Sequence, residues 1–164
     1  MSEFKTATSF RRWTHGTRVF LCSVADLQCN SAGLTLRGEM TKYWMVGLGG
    51  FLGSIARYWV GAYITFRMGA RFPYGTFVIN MSGSFLLGLV VTLLAERAHW
   101  NPNLLYLIPI GFIGAYTTFS TFELEAFRSV RSGDFVMALL NVVLSVCLGF
   151  IAVWLGAIAA TTFE

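Results

Sequence analysis

Hydrophobic residues in this chain gather into long unbroken blocks. The block 43–66 is apolar and interrupted only by Arg57, and the blocks 72–95 and 98–122 carry no charge. The last block, 135–163, is the longest. Each exceeds the about 20 residues that an α-helix needs to cross about 30 Å of hydrocarbon. A helix satisfies its own backbone hydrogen bonds, as lipid demands, and the alternation of barrel strands is absent. The pattern predicts an all-α integral membrane protein. Residues 40–164 form its single domain, with four transmembrane helices joined by short loops.

Polar residues sit mostly between the blocks. Arg67 and Arg71 follow the first, Glu96, Arg97 and His99 the second, and Arg128, Arg131 and Asp134 the third. Lys42 and Arg97 then lie on one side of the membrane. Arg67, Arg71, Arg128 and Arg131 lie on the other, with Arg57 near them. This positive-inside bias is weak, and the basic residues of segment 1–39 reverse it if they share the side of Lys42. Such a chain has no decisive reason to insert one way only.

Composition narrows the class. Only 12% of the 164 residues are charged and 55% are hydrophobic. Soluble domains carry about 25% charged residues. A soluble domain, a disordered chain, a disulfide scaffold and a nucleic-acid binder are therefore excluded. The net charge of +4 reads as loop Lys and Arg beside lipid headgroups. Cys22, Cys29 and Cys147 form no ligand cluster, and their odd number gives no disulfide framework. His15 and His99 have no nucleophile or metal-ligand neighbour, so no enzyme chemistry is expected.

Residues 1–39 differ from the rest. Their longest apolar stretch, 19–25, is too short to span a bilayer. They read as a poorly ordered extension, or as sequence upstream of a natural start at Met40. An amphipathic membrane-surface helix using Phe4, Phe10, Trp13 and Phe20 is the alternative.

The informative residues are those that lipid would not tolerate. Asn80 lies mid-block, with Ser82 and Ser84 close by. It either glues helices together or faces a polar path. Gly47, Gly49, Gly50 and Gly53 on the first helix, and Gly83 and Gly88 on the second, let helix backbones approach closely. Four helices have too little interior for a wide pore, so association with another copy is expected. The block 111–122, GFIGAYTTFSTF, combines two glycines, four hydroxyls and three phenylalanines. Hydroxyls that bond back to the backbone bend a helix, and glycine tolerates a break. A break would expose carbonyls and N–H groups at membrane depth, where such breaks often bind ions. The plainer alternative is a hydroxyl-rich packing face that only kinks. Phe119 and Phe122 share a helix face. They either pack in the core or present electropositive ring edges to an anion.

Three strings carry a resemblance. These are 49–58 (GGFLGSIARY), 74–85 (YGTFVINMSGSF) and 114–122 (GAYTTFSTF). In that order they resemble the small bacterial fluoride channels of the CrcB/Fluc family, over most of residues 42–160. The segment 1–39 has no counterpart there. The resemblance implies a fluoride-selective ion channel in the bacterial inner membrane. It exports cytoplasmic fluoride by passive flow and so relieves fluoride toxicity. It implies an antiparallel, dual-topology homodimer with two pores, a broken third helix and a central structural sodium ion. The main-chain carbonyls of Gly114 and Thr117 match the sodium ligands. Asn80, Phe119 and Phe122 match the fluoride path, and Thr118, Ser120 and Thr121 match a hydroxyl track, extended by Ser145 on the fourth helix. Where a tyrosine is often found one turn earlier, this chain has Asn141. Arg57 and Glu125 match vestibule residues.

The residues suit that function. Weak charge bias permits both insertions, and carbonyl oxygens suit a hard cation. A narrow track of donors and ring edges can replace fluoride's water shell at close quarters. The alternative is a small four-helix proton-coupled multidrug exporter. That function needs a membrane-embedded carboxylate. The first helix carries Arg57 and no acid, and Glu123 and Glu125 come only at the end of the third.

Overall fold

A computed structural model describes residues 36–69, 72–96, 101 and 103–162. All of its regular structure is helical. Helix α1 runs Leu36–Met68, α2 runs Tyr74–Glu96 and α5 runs Phe135–Thr161. The third crossing is composite. Its first half, α3, covers 103–116 and comprises a turn at Asn103–Leu105, a π-helical stretch Tyr106–Ile113 and a last turn Gly114–Tyr116. Its second half, α4, runs Phe119–Arg131.

Among the described residues three helical spans are long and apolar enough to cross a membrane: Tyr74–Ala95, Asn103–Arg131 and Phe135–Thr161. Helix α1 is the longest at 33 residues. At 1.5 Å per residue it extends about 50 Å, more than the hydrocarbon thickness. Its charged residues at both ends and Arg57 make it the least apolar of the four. It is already helical seven residues before the apolar block begins, inside the segment expected as an extension. The expectations for residues 1–35 lie outside the described residues. The third crossing also reaches further than expected, because α4 carries Arg128 and Arg131 on its last turn rather than in a loop.

Local chemistry fixes the ends. Gly69 and Gly133 adopt φ of 81° and 82°, a left-handed conformation that costs glycine nothing. Gly133 closes the short α4–α5 turn. The next residue, Asp134, caps α5 by accepting the Met137 N–H at 3.1 Å. Pro109 lies inside the π-helical stretch. Proline removes one backbone donor from a helix interior, and the wider turn accommodates that loss.

Glycine contacts set the packing. Helix α2 packs most extensively on α5, and α1 packs on α3. A Cβ at Gly88 would collide with the Val153 carbonyl, and one at Gly156 with the Phe85 carbonyl. Gly49 and Gly53 stand in the same relation to the carbonyls of Leu107 and Phe112. Backbones this close gain dispersion contacts, which replace the hydrophobic drive that lipid does not supply. The surface is inverted relative to a soluble domain. Trp44, Phe66 and Phe150 are 74%, 86% and 76% exposed, while the fully buried core is small. Such faces suit lipid or another copy of the chain.

Candidate functional site

The centre of the site is a true break in the third crossing. Thr117 (φ −77°, ψ 158°) and Thr118 (φ −150°, ψ 115°) are extended between α3 and α4. The block 111–122 is therefore interrupted, not merely kinked. In an unbroken helix the Thr118 N–H would bond to the Gly114 carbonyl, and the Thr121 N–H to that of Thr117. Here the Thr118 N–H donates to Asn80 Oδ1 at 2.8 Å instead. The Thr121 N–H donates to Thr118 Oγ1 at 3.4 Å, which caps α4. The carbonyls of Gly114 and Thr117 thus lose their regular helical donors.

Asn80 braces the break from α2. Its amide accepts the Thr118 N–H and returns a hydrogen bond from Nδ2 to the Thr118 carbonyl at 3.0 Å. Lipid offers no water to satisfy these groups, so a carboxamide with one acceptor and two donors is well suited. Gluing helices does not exclude facing a polar path, because the pair with Thr118 uses only one of the two Asn80 Nδ2 hydrogens. Thr117 turns inward, its N–H and hydroxyl both donating to the Ile113 carbonyl at 3.0 Å. The Thr118 hydroxyl donates to Thr121 Oγ1 at 2.9 Å. Gly83 makes room: a Cβ there would overlap the Thr117 methyl.

A groove of about 210 Å³ opens beside this pair. Asn80, Gly83, Ser84, Leu87, Thr117, Thr118 and Phe119 line it. Phe119 and Phe122 lie with ring centroids 5.8 Å apart and planes tilted 44°. They differ in exposure: Phe122 is 8% exposed and Phe119 is 69% exposed. Phe119 therefore presents its ring at the groove mouth, while Phe122 is fixed in the core. Ser120 is exposed on the first turn of α4.

The remaining predicted residues sit apart from the groove lining. Glu125, half-buried on α4, accepts a hydrogen bond from Thr76 Oγ1 at 2.7 Å through Oε1. Its Oε2 is buried without a hydrogen-bond partner among the described residues. Ser145 on α5 donates to Asn141 Oδ1 at 3.3 Å. Asn141 is 2% exposed, and its Nδ2 is likewise unpartnered. Arg57 is half-buried on α1, one turn beyond the Gly53 contact with α3. Sequence reasoning passed over Thr76, although it lies one turn before Asn80 on the same face of α2. It also passed over Tyr116, whose hydroxyl meets Ser82 at 3.0 Å. No group of His, Cys, Asp or Glu suited to a metal ion occurs among the described residues.

A multi-pass membrane protein is defined by these helices, with a third crossing that opens at membrane depth onto hydroxyls, an amide and a phenylalanine. Broken crossings of this kind form ion or substrate sites in other membrane proteins. Residues 44–157 match the family described as CrcB-like protein, Camphor Resistance (CrcB), and the chain belongs to that family. It is similar to the "Fluoride-specific ion channel FluC" of Solibacter usitatus, 52% identical over 73% of this chain and 98% of that relative. The FluC of Acidobacterium capsulatum is 52% identical over 71% of this chain and 94% of its own length. The "Fluoride-specific ion channel FluC 1" of Symbiobacterium thermophilum is 44% identical over 68% and 91%.

Proposed function

We propose that this protein is a fluoride-specific channel, passing fluoride down its gradient through the groove at the third-helix break. The observation that carries this reading is the break, braced by Asn80 and faced by the exposed Phe119 ring. Fluoride is small, strongly hydrated and a strong hydrogen-bond acceptor. It must exchange its water for protein donors at close range. Asn80 Nδ2 and the hydroxyls of Ser120 and Thr121 are such donors. The ring edge of Phe119 adds weak positive potential without a full cation that would trap the ion, and the buried Phe122 packs against it with centroids 5.8 Å apart. Hydrogen fluoride crosses membranes neutral and dissociates inside, so an exit for the anion protects the cell.

Two antiparallel copies complete the pore in this proposal. The support is the exposure of Phe119 and of the apolar face of α4, where Leu124, Phe127 and Val130 are 45%, 57% and 42% exposed. Weak charge bias permits opposite insertions of one sequence. The carbonyls of Gly114 and Thr117, freed from their helical donors, have the chemistry to hold a sodium ion. Unwound carbonyls at helix breaks serve that purpose. One chain offers two such oxygens, and a second copy doubles them. A sodium ion held there supplies fixed positive charge near the anion route. Arg57 and Glu125 belong to the wider entrances in this scheme, and Ser145 extends the polar track on α5.

Reconstituted Phe119→Ile protein tests the reading. It keeps bulk but removes the ring, so fluoride efflux from proteoliposomes should fall at least tenfold while the protein elutes at the mass of two chains. Efflux equal to wild type would remove Phe119 from the route. Elution of wild type as single chains would remove the pairing.

A further inference from the structure

We propose that Tyr116 is a positioning residue. Its phenol, tied to Ser82 on α2, sets where the Gly114 and Thr117 carbonyls stand and thereby tunes cation binding at the break. The inference rests on the sodium reading given above.

The hydroxyls of Tyr116 and Ser82 lie 3.0 Å apart. The direction of that bond follows from the other partner. Ser82 has one hydroxyl hydrogen and gives it to the Val78 carbonyl at 2.7 Å. Tyr116 must then donate, and Ser82 Oγ accepts. The ring is 7% exposed and stacks on Phe112 at 6.0 Å, nearly parallel at 7°. It also lies over Gly83, where a Cβ would stand 3.3 Å from its Cδ1. The phenol is held on one face by α3, on another by α2, and at its tip by Ser82.

Tyr116 is the last helical residue before the break. Gly114 opens the same short turn, and Thr117 is the extended residue that follows it. Helix α2 therefore grips both sides of the break. Asn80 holds Thr118 on the far side, and Ser82 holds Tyr116 on the near side, half a turn further along α2. Between them Gly83 lets Thr117 fit against α2. A cation held by backbone oxygens is sensitive to their spacing, because small hard ions demand defined oxygen distances. Anchors at Tyr116 and Thr118, on either side of Thr117, are what keep those oxygens in place.

The test uses the full purified chain in detergent. Thermal unfolding is followed as sodium replaces N-methylglucamine, and the sodium concentration for half-maximal stabilisation is read. Tyr116→Phe keeps the ring and its stacking but removes the donor. One net hydrogen bond corresponds to about threefold to tenfold in the half-saturating sodium concentration. Ser82→Ala should shift it the same way, and the double variant should shift it no further than either single change. Half-saturation unchanged in both single variants, with wild type still responding to sodium, would overturn the positioning role alone. A wild-type protein indifferent to sodium would overturn the cation reading and this inference with it.

Discussion

Replacing Asn80 by alanine removes both hydrogen bonds that brace Thr118 from α2. Thr118 is only 8% exposed, so its N–H and carbonyl both lose their partner away from solvent. A buried group left unsatisfied costs about 1–3 kcal/mol, which makes about 2–6 kcal/mol for the two if nothing replaces the amide. The groove beside them measures about 210 Å³. A water occupies about 30 Å³, so water can enter and satisfy part of the loss. The expected cost is then near the lower end, about 2–3 kcal/mol. Thermal unfolding in detergent should show a clearly lowered midpoint for a protein that still folds. Fluoride efflux should fall to near background, because the break relaxes and an anion donor is gone. Asn80→Asp separates the two effects. Its carboxylate still accepts the Thr118 N–H but no longer donates, and it places negative charge on the anion route. It should also abolish efflux. Wild-type midpoint and wild-type efflux in the alanine variant would refute the bracing argument. Unchanged efflux in Asn80→Asp would refute the placement of the route.

Other perturbations follow from the same contacts. Gly88→Leu forces a side chain against the Val153 carbonyl; overpacking of this kind costs about 1–3 kcal/mol or more, read as a lowered midpoint. Gly47→Ala adds a Cβ that meets nothing within 4 Å in the protomer, so its midpoint should stay near wild type. Thr76→Val is nearly isosteric but removes the hydrogen bond to Glu125 Oε1. It should cost about 1–3 kcal/mol and slow fluoride efflux, measured side by side in the two assays.

Much of the fold was legible because lipid imposes a simple rule. Runs of about 20 apolar residues must become helices, and 72–95 and 135–163 did so almost end to end. The ends with charges were less legible. Helix α1 is already helical at Leu36, the first described residue, and α4 carries Arg128 and Arg131, because a helix can continue past the hydrocarbon where its charged side chains reach water. The break at Thr117–Thr118 was visible as an unusual density of glycine and hydroxyl residues. Its geometry was not. Asn80 and Thr118 are 38 positions apart, and Thr76 and Glu125 are 49 apart. Each was readable alone as a polar residue out of place. Only the folded arrangement shows that Asn80 completes the backbone of another helix. The π-helical stretch around Pro109 had no signal beyond the proline itself, since a proline in an apolar run marks a disturbance without saying what form it takes.

The most direct test of the central claim is one comparison with wild-type protein. Proteoliposomes loaded with potassium fluoride or potassium chloride are opened to potassium by an ionophore, and anion efflux is followed with ion-selective electrodes. The account predicts rapid fluoride release and chloride release no faster than from protein-free vesicles. Equal release of the two anions, or fluoride release at the protein-free rate, would contradict it.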